Sequence, residues 1–222
     1  MDIGYIFTVF QYITNKHQSG SPSPLEFQNS FNLAQIQYQQ ELIEIMIGWD
    51  SNRKKIRLPM ANAKQVKQKL APFIVRGESV AVPGDGRLVK PEDMESISAM
   101  RMIGNVKRVK RVEEERITSN YSSTIDPVTT NPMYIEYADY YQIYPVTIGA
   151  INWEYIKAPP PVVYGYDIVN GRPVYNAGTS VQPVWSDGEI SNLLIRVLFM
   201  FGISIQAQNL TSYYNEVKNN GE

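Results

Sequence analysis

Between Met133 and Pro161 nearly every second or third residue is aromatic or β-branched, and the interruptions fall at turn-forming residues. Met133, Ile135 and Tyr137 alternate with Tyr134 and Glu136. Ala138-Asp139 can reverse the chain, Tyr141 to Tyr144 returns, and Ile151, Trp153 and Tyr155 alternate with Asn152 and Glu154. A period of two places one face of each strand on a core, so the stretch predicts an antiparallel meander. Pro159 to Pro161 stops it, because three residues without N–H donors cannot continue a ladder.

A chain of 222 residues with 43% hydrophobic and 19% charged residues can bury one large core or two small ones. It contains no cysteine, which excludes disulfides, thiolate zinc sites and a cysteine nucleophile and fits a reducing compartment. His17 is its only histidine, so a histidine metal cluster and a Ser/His/Asp triad lack their parts. The remaining carboxylates, Asp85, Glu92-Asp93, Glu113 to Glu115, Asp139 and Asp187, are scattered over turns and helix starts, where capping and solvation account for them. The expectation is no enzymatic activity, no cofactor and no metal. The longest apolar run, Leu193 to Ile205, is broken by Arg196, Gly202 and Ser204 and is too short to span a bilayer, and the N-terminus lacks signal-peptide features. A soluble, cytoplasmic protein with no membrane contact is expected.

Before the meander the pattern is helical. Ile3, Ile6, Phe7, Phe10, Ile13 and Thr14 share one side of a helical wheel. Ser23-Pro24-Leu25-Glu26 then has the form of a capping box, with proline at the first helical position. Phe27, Phe31, Ala34, Tyr38, Leu42 and Ile45 follow at intervals of three and four down to Ile47. The two segments predict a helical hairpin. The rest of the second helix is uncharged and rich in glutamine. That suits a face touching other subunits, with Gln35 and Gln39 as candidate interface residues, although glutamine is also simply a good helix former.

Gly48 to Leu58 reads as a basic loop, Ala61 to Leu70 as a short helix ended by Pro72, and Phe73 to Val75, Val80 to Val82 and Arg87 to Val89 as strands around a Pro83-Gly84-Asp85-Gly86 turn. That turn lacks the Lys-Ser/Thr end and following helix of a phosphate-binding loop. Ile97 to Ile103 and Val106 to Val112, joined by Gly104-Asn105, predict a hairpin, with a helix as the alternative. Two basic stretches, Arg53, Lys54, Lys55 and Arg57, then Lys107, Arg108, Lys110 and Arg111, are candidate contacts for a channel or an acidic partner, and equally solvated faces.

After the prolines, Val162 to Ile168 and Arg172 to Tyr175 flank Asn170-Gly171, a hairpin signal because a type I′ turn needs positive φ at both central residues. Ser186 or Asp187 caps a helix from Ile190 to Phe201. Its Leu193, Leu194, Val197, Leu198 and Phe201 predict burial, with Leu198 beneath the meander. Gly202 ends it, and a polar helix from Ala207 to Val217 carries Tyr213 and Tyr214, which are further candidate interface residues. The whole is expected to be α+β, an N-terminal helical hairpin and C-terminal helices around an antiparallel β-domain. Its divisions are 1–72, helical; 73–185, β with an inserted hairpin; and 186–222, helices and tail.

Three segments, FQYITNKHQSGSPSPLEFQNSFNLAQIQY, IYPVTIGAINWEYIKAPPPVVY and SDGEISNLLIRVLFMFGIS, touch roughly half of the chain. In their order and character this sequence resembles a family of virion proteins from tailed bacteriophages of Bacteroidetes hosts, including the crAss-like phages, whose members build rings between portal and tail. The middle, Gly48 to Tyr121, matches loosely, and the Asn170-Gly171 hairpin and the apolar final helix depart from the pattern. The resemblance implies a head-to-tail connector, a structural virion protein assembled in the host cytoplasm. Its partners would be copies of itself in a ring of twelve, the portal protein and other neck or tail rings. DNA in transit through the ejection channel would touch it without sequence preference. The alternative is a non-enzymatic nucleic-acid-binding protein or another phage assembly protein.

Overall fold

A computed structural model of the chain describes residues 1–16, 22–51, 60–103, 108–114 and 131–203, those at 47–51 and 60–63 by backbone alone. The architecture is α+β and falls into two compact units. One is built from the chain before Phe73 and after Ala158, the other from Phe73–Ala158. The first boundary coincides with the expected one, whereas the second lies well before Trp185. The hairpin after the prolines therefore belongs with the helices and not with the β-domain.

The helical unit contains α1 (Ile3–Lys16), α2 (Pro24–Ser51), α3 (Met60–Leu70) and α4 (Asp187–Met200). The capping box forms at the start of α2: the Ser23 N–H donates to Glu26 Oε2 at 2.8 Å, and the Glu26 N–H donates to Ser23 Oγ at 3.3 Å. These bonds satisfy donors that a helix start otherwise leaves open. The Ser23 backbone bond, seconded by the Ser23 hydroxyl, holds the Glu26 carboxyl below its ordinary range. Between α1 and α2 the core is aromatic. The Phe27 ring lies 5.0 Å from Phe10, 5.1 Å from Phe7 and 5.8 Å from Phe31.

Helix α4 packs on α2 and α1. Leu198, expected in a core beneath the meander, is fully buried on a helix of the helical unit. The helix is also less buried than its composition suggests, because Phe199 and Met200 remain exposed; its apolar face is a stripe, not the whole circumference. It ends in a Schellman motif, with the Ile203 N–H bonded to Leu198 O at 2.9 Å and the Gly202 N–H to Phe199 O at 3.0 Å. Gly202 supplies the positive φ, +74°, that this motif requires.

The second unit holds two sheets. The strands β1 (Ile74–Ala81), β7 (Ala150–Lys157) and β3 (Met94–Met102) form one in the order β1-β7-β3. The strands β2 (Arg87–Val89), β6 (Tyr140–Tyr144), β5 (Met133–Glu136) and β4 (Lys110–Arg111) form the other in the order β2-β6-β5-β4. All pairs are antiparallel except β4 with β5. The predicted meander is thus divided. Its first two strands pair with each other, but β7 leaves them after a cis Tyr144-Pro145 bond and becomes the centre of the other sheet. The alternation of Ile151, Trp153 and Tyr155 is real, and these side chains pack in one core with Leu88, Tyr141 and Ile143 of the second sheet. The strands expected at Phe73 to Val75 and Val80 to Val82 are one strand, β1, bulged between Val75 and Glu78. Gly77, at φ +68°, carries the bulge. Of the hairpin expected around Gly104-Asn105, the described residues retain an Arg101–Arg108 bridge, while the turn and Lys107 lie outside them.

Candidate interaction surfaces

Helix α2 is the longest element of the helical unit, and it carries no charged residue between Glu26 and Glu41. Its amides point in two directions. Gln35 and Gln39, expected on the outside, are each 1% exposed. For Gln35 the cause lies in the proline segment. Gln28, Asn32 and Gln35 follow one another at helical spacing along one flank of α2 and bond every second residue of the extended chain from Pro160 to Tyr164. The Tyr164 N–H donates to Gln28 Oε1 at 3.0 Å, and the Val162 N–H donates to Asn32 Oδ1 at 2.8 Å. Asn32 Nδ2 donates back to Val162 O at 3.0 Å, and Gln35 Nε2 donates to Pro160 O at 3.1 Å. A segment whose prolines disqualify it from a sheet thus has its polar backbone satisfied by a column of side-chain amides. A carboxylate at position 35 would have no proton for Pro160 O, so Gln35→Glu acts on the fold of the subunit and does not report on assembly.

The outward flank is different. Leu25, Asn29, Leu33, Ile36 and Gln40 share one stripe at helical spacing, with Leu25 58%, Leu33 49% and Ile36 41% exposed. Single exposed apolar residues are ordinary, but an uncharged stripe containing three of them has the composition of an interface core.

A second exposed apolar surface is the ribbon of β8 (Tyr166–Val169) and β9 (Arg172–Tyr175). Asn170 at φ +51° and Gly171 at φ +74° make its turn, as the sequence predicts. The register Tyr166 to Tyr175 and Ile168 to Pro173 puts these four residues on one face, and Ile168 is 64% exposed. The base is tied down. Tyr175 lies 5.2 Å from the Tyr164 ring and donates its hydroxyl to Asp2 at 2.9 Å. It also lies so close to Gly4 that a Cβ there would meet its ring at 2.8 Å.

Where α2, α3 and α4 meet, a part-buried polar cluster is assembled. Tyr38 donates its hydroxyl to Glu189, Lys69 Nζ bonds Tyr38 Oη at 3.1 Å and Glu189 at 3.2 Å, and Asn192 donates to Glu189 at 3.2 Å. Arg196 lies over the Tyr38 ring at 4.8 Å and forms a two-bond pair with Glu41 at 2.6 Å each. Burial pushes the Glu189 carboxyl up, but the bonds from Tyr38, Lys69 and Asn192 with the Lys69 charge outweigh it, and the group sits below its ordinary range. Burial, then the Glu189 carboxylate, raises Tyr38. Desolvation lowers Lys69, yet its bonds to Tyr38 and Glu189 leave it raised. These groups turn their polar atoms on one another, so the cluster fastens three helices. A lowered carboxyl stabilises the fold fully above its unfolded pKa and loses that contribution as pH falls through the folded value, while the raised tyrosine and lysine lose theirs as pH rises. The stability difference between the parent chain and Glu189→Gln should therefore narrow as pH falls below the ordinary carboxylate range. Denaturant midpoints across pH test this, and a constant gap would refute it.

In the β unit, Arg108, Lys110 and Arg111 are exposed on or beside the edge strand β4. Arg111 is paired with Glu136 at 3.1 Å, and Glu136 also takes Lys90 at 3.1 Å. Arg53, Lys54, Lys55, Arg57, Tyr213 and Tyr214 lie outside the described residues. Of the carboxylates, Asp85 accepts the Arg87 N–H within its turn and Asp93 faces the Tyr155 hydroxyl. Among the described residues no group of three or more Asp, Glu, His or Cys is placed to hold a metal ion, and no helix is long and apolar enough to cross a membrane. No protein-family model matches the chain, and no curated protein matches it.

Proposed function

We propose that this chain is a structural subunit that closes into a ring, and that the ring is the connector between portal and tail in a tailed phage virion. The uncharged, partly apolar outer stripe of α2 carries the self-association, because burying such a surface costs no charge desolvation. The phage context, the twelve copies and the DNA channel rest on the three resembling sequence segments. In this reading the chain does no chemistry. It offers surfaces, to its own copies around the ring and to the portal and tail rings above and below.

The test is particle mass. The full chain should associate reversibly with concentration, and negative-stain images of the product should show closed rings of one copy number. Leu33→Asp with Ile36→Asp places two charges in each contact and should weaken association by at least about tenfold, while the thermal transition stays because both residues are exposed. A parent chain that remains monomeric at every concentration overturns the reading. Rings that ignore the double substitution would show that α2 is not the contact.

A further inference from the structure

We infer that the outer face of the β1-β7-β3 sheet binds the phosphodiester backbone of a nucleic acid, through a row of hydrogen-bond donors centred on Arg101 and Arg108. In the ring reading the DNA channel comes from sequence resemblance; here the partner follows from the sheet's own chemistry and does not require a ring.

One rung of cross-strand neighbours spans the sheet. Ser79 of β1 stands opposite Asn152 of β7, Asn152 opposite Arg101 of β3, and Arg101 opposite Arg108. The residues beside them in sequence, Val80, Ile151, Trp153, Met100 and Val109, pack in or against the core, so by the period of two all four point away from it. A hydroxyl, an amide and two guanidiniums thus form a line about 14 Å long, three strand spacings, with no carboxylate in it. The flanking rungs are low. Ala81 faces Ala150 on one side, and Ala99 faces Glu154 on the other, so the row stands beside a shallow floor on which an extended ligand can lie.

The arginine pair is the unusual element. The Val109 N–H bonds Met100 O at 2.9 Å beside it, which makes Arg101 and Arg108 a non-hydrogen-bonded pair, the kind with Cα atoms only about 4.5 Å apart and side chains closest. Like charges directly opposite one another destabilise the pairing. Elsewhere the β unit neutralises its cations, since Glu136 takes both Lys90 and Arg111. Among the described residues no acid forms an ion pair with Arg101 or Arg108, Glu154 included although it lies diagonal to Arg101 on the same face. An oxyanion between the two guanidiniums removes the repulsion and engages their forked donors, which match phosphate oxygens. Serine hydroxyls and asparagine amides are ordinary phosphate contacts as well. An open row of this length suits a polymer whose charges repeat, and it reads backbone, not bases.

The test titrates the full-length protein into a fluorescently labelled DNA duplex of arbitrary sequence and follows anisotropy. Binding should weaken about tenfold between about 50 and about 200 mM salt, the loss for two neutralised phosphates. Arg101→Gln and Arg108→Gln should each cut affinity at the lower salt at least about threefold and flatten the salt dependence by about one phosphate. Arg172→Gln, on the ribbon of the other unit, should change neither. The thermal transition of the two glutamine variants should not fall, because each removes a repulsion. A parent chain that does not bind at the lower salt, glutamine variants that bind as it does, or an equal loss in Arg172→Gln overturns the inference. So does a lowered transition, which would make the pair a stabilising element of the sheet. Polyglutamate that displaces the duplex as well as unlabelled DNA of equal charge also overturns it, in favour of an acidic protein partner. Particle mass measured on the same samples separates the two readings: monomers that bind keep this inference and remove the ring, and rings that do not bind do the reverse.

Discussion

Replacing Phe27 with alanine should destabilise the helical unit by about 3–5 kcal/mol, the range for removing a buried aromatic ring when the site collapses only in part. Phe27 is fully buried, and its ring stands within 6 Å of three others, Phe7 and Phe10 from α1 and Phe31 from the next turn of its own helix. Deleting it removes apolar area and also the tilted ring contacts that add to area burial. Phe27→Leu keeps most of the volume and should cost less than about 2 kcal/mol. Urea denaturation followed by far-ultraviolet circular dichroism gives the comparison. A midpoint shift equivalent to under about 1 kcal/mol for the alanine variant, at unchanged slope, would mean that this aromatic cluster is not what holds α1 on α2.

Trp153→Ala should have an effect of similar size in the β unit, again about 3–5 kcal/mol. Trp153 is the middle inward residue of the central strand β7, where it lies opposite Glu78 of β1 and Met100 of β3. Its ring meets Tyr155 edge-on at 5.7 Å, and its indole N–H donates to Glu78 Oε2 at 3.2 Å. Both flanking strands therefore lose packing together. Hydrogen exchange distinguishes this from a local defect, because amides along β1, β3 and β7 should all lose protection. Loosening confined to residues next to position 153 would show that the strand does not organise the sheet.

What could be read from the sequence follows from which interactions are local. The capping box, the 3.6-residue stripe of α1 and that of α2 from Phe27 to Leu42, the Asn170-Gly171 turn and the Gly202 stop are each decided within a few residues and form where the pattern places them, whereas Ile45, expected on the α2 stripe, is exposed. Pairing of strands is not local. Alternation in Met133 to Tyr155 marks strands but not partners, and β7 carries the same alternation whether it pairs with β6 or, as here, with β1 and β3. The placement of Gln35 was hidden for a related reason. A helical wheel tells which residues differ from the apolar stripe, and an amide looks the same whether it faces water or a proline-rich backbone. The clue was present in Pro159 to Pro161, since a segment with few donors and unpaired carbonyls needs side-chain partners if buried. Leu33 and Ile36 were legible as well, because they fall off the stripe made by Phe27, Phe31, Ala34 and Tyr38, as Leu25 does at the helix start.

The pairing of Ile74 with Ile156 has a consequence for the history and engineering of this chain. It holds the entrance and the exit of the β unit one strand spacing apart, so that unit is a cassette attached through two adjacent strand ends. The β unit takes up 86 residues between the two stretches of the helical unit, yet its own first and last strand ends lie only about 5 Å apart. A cassette of this kind can be lost, exchanged or lengthened without altering the span its neighbours must bridge. Related chains could therefore carry different β cassettes on one helical frame.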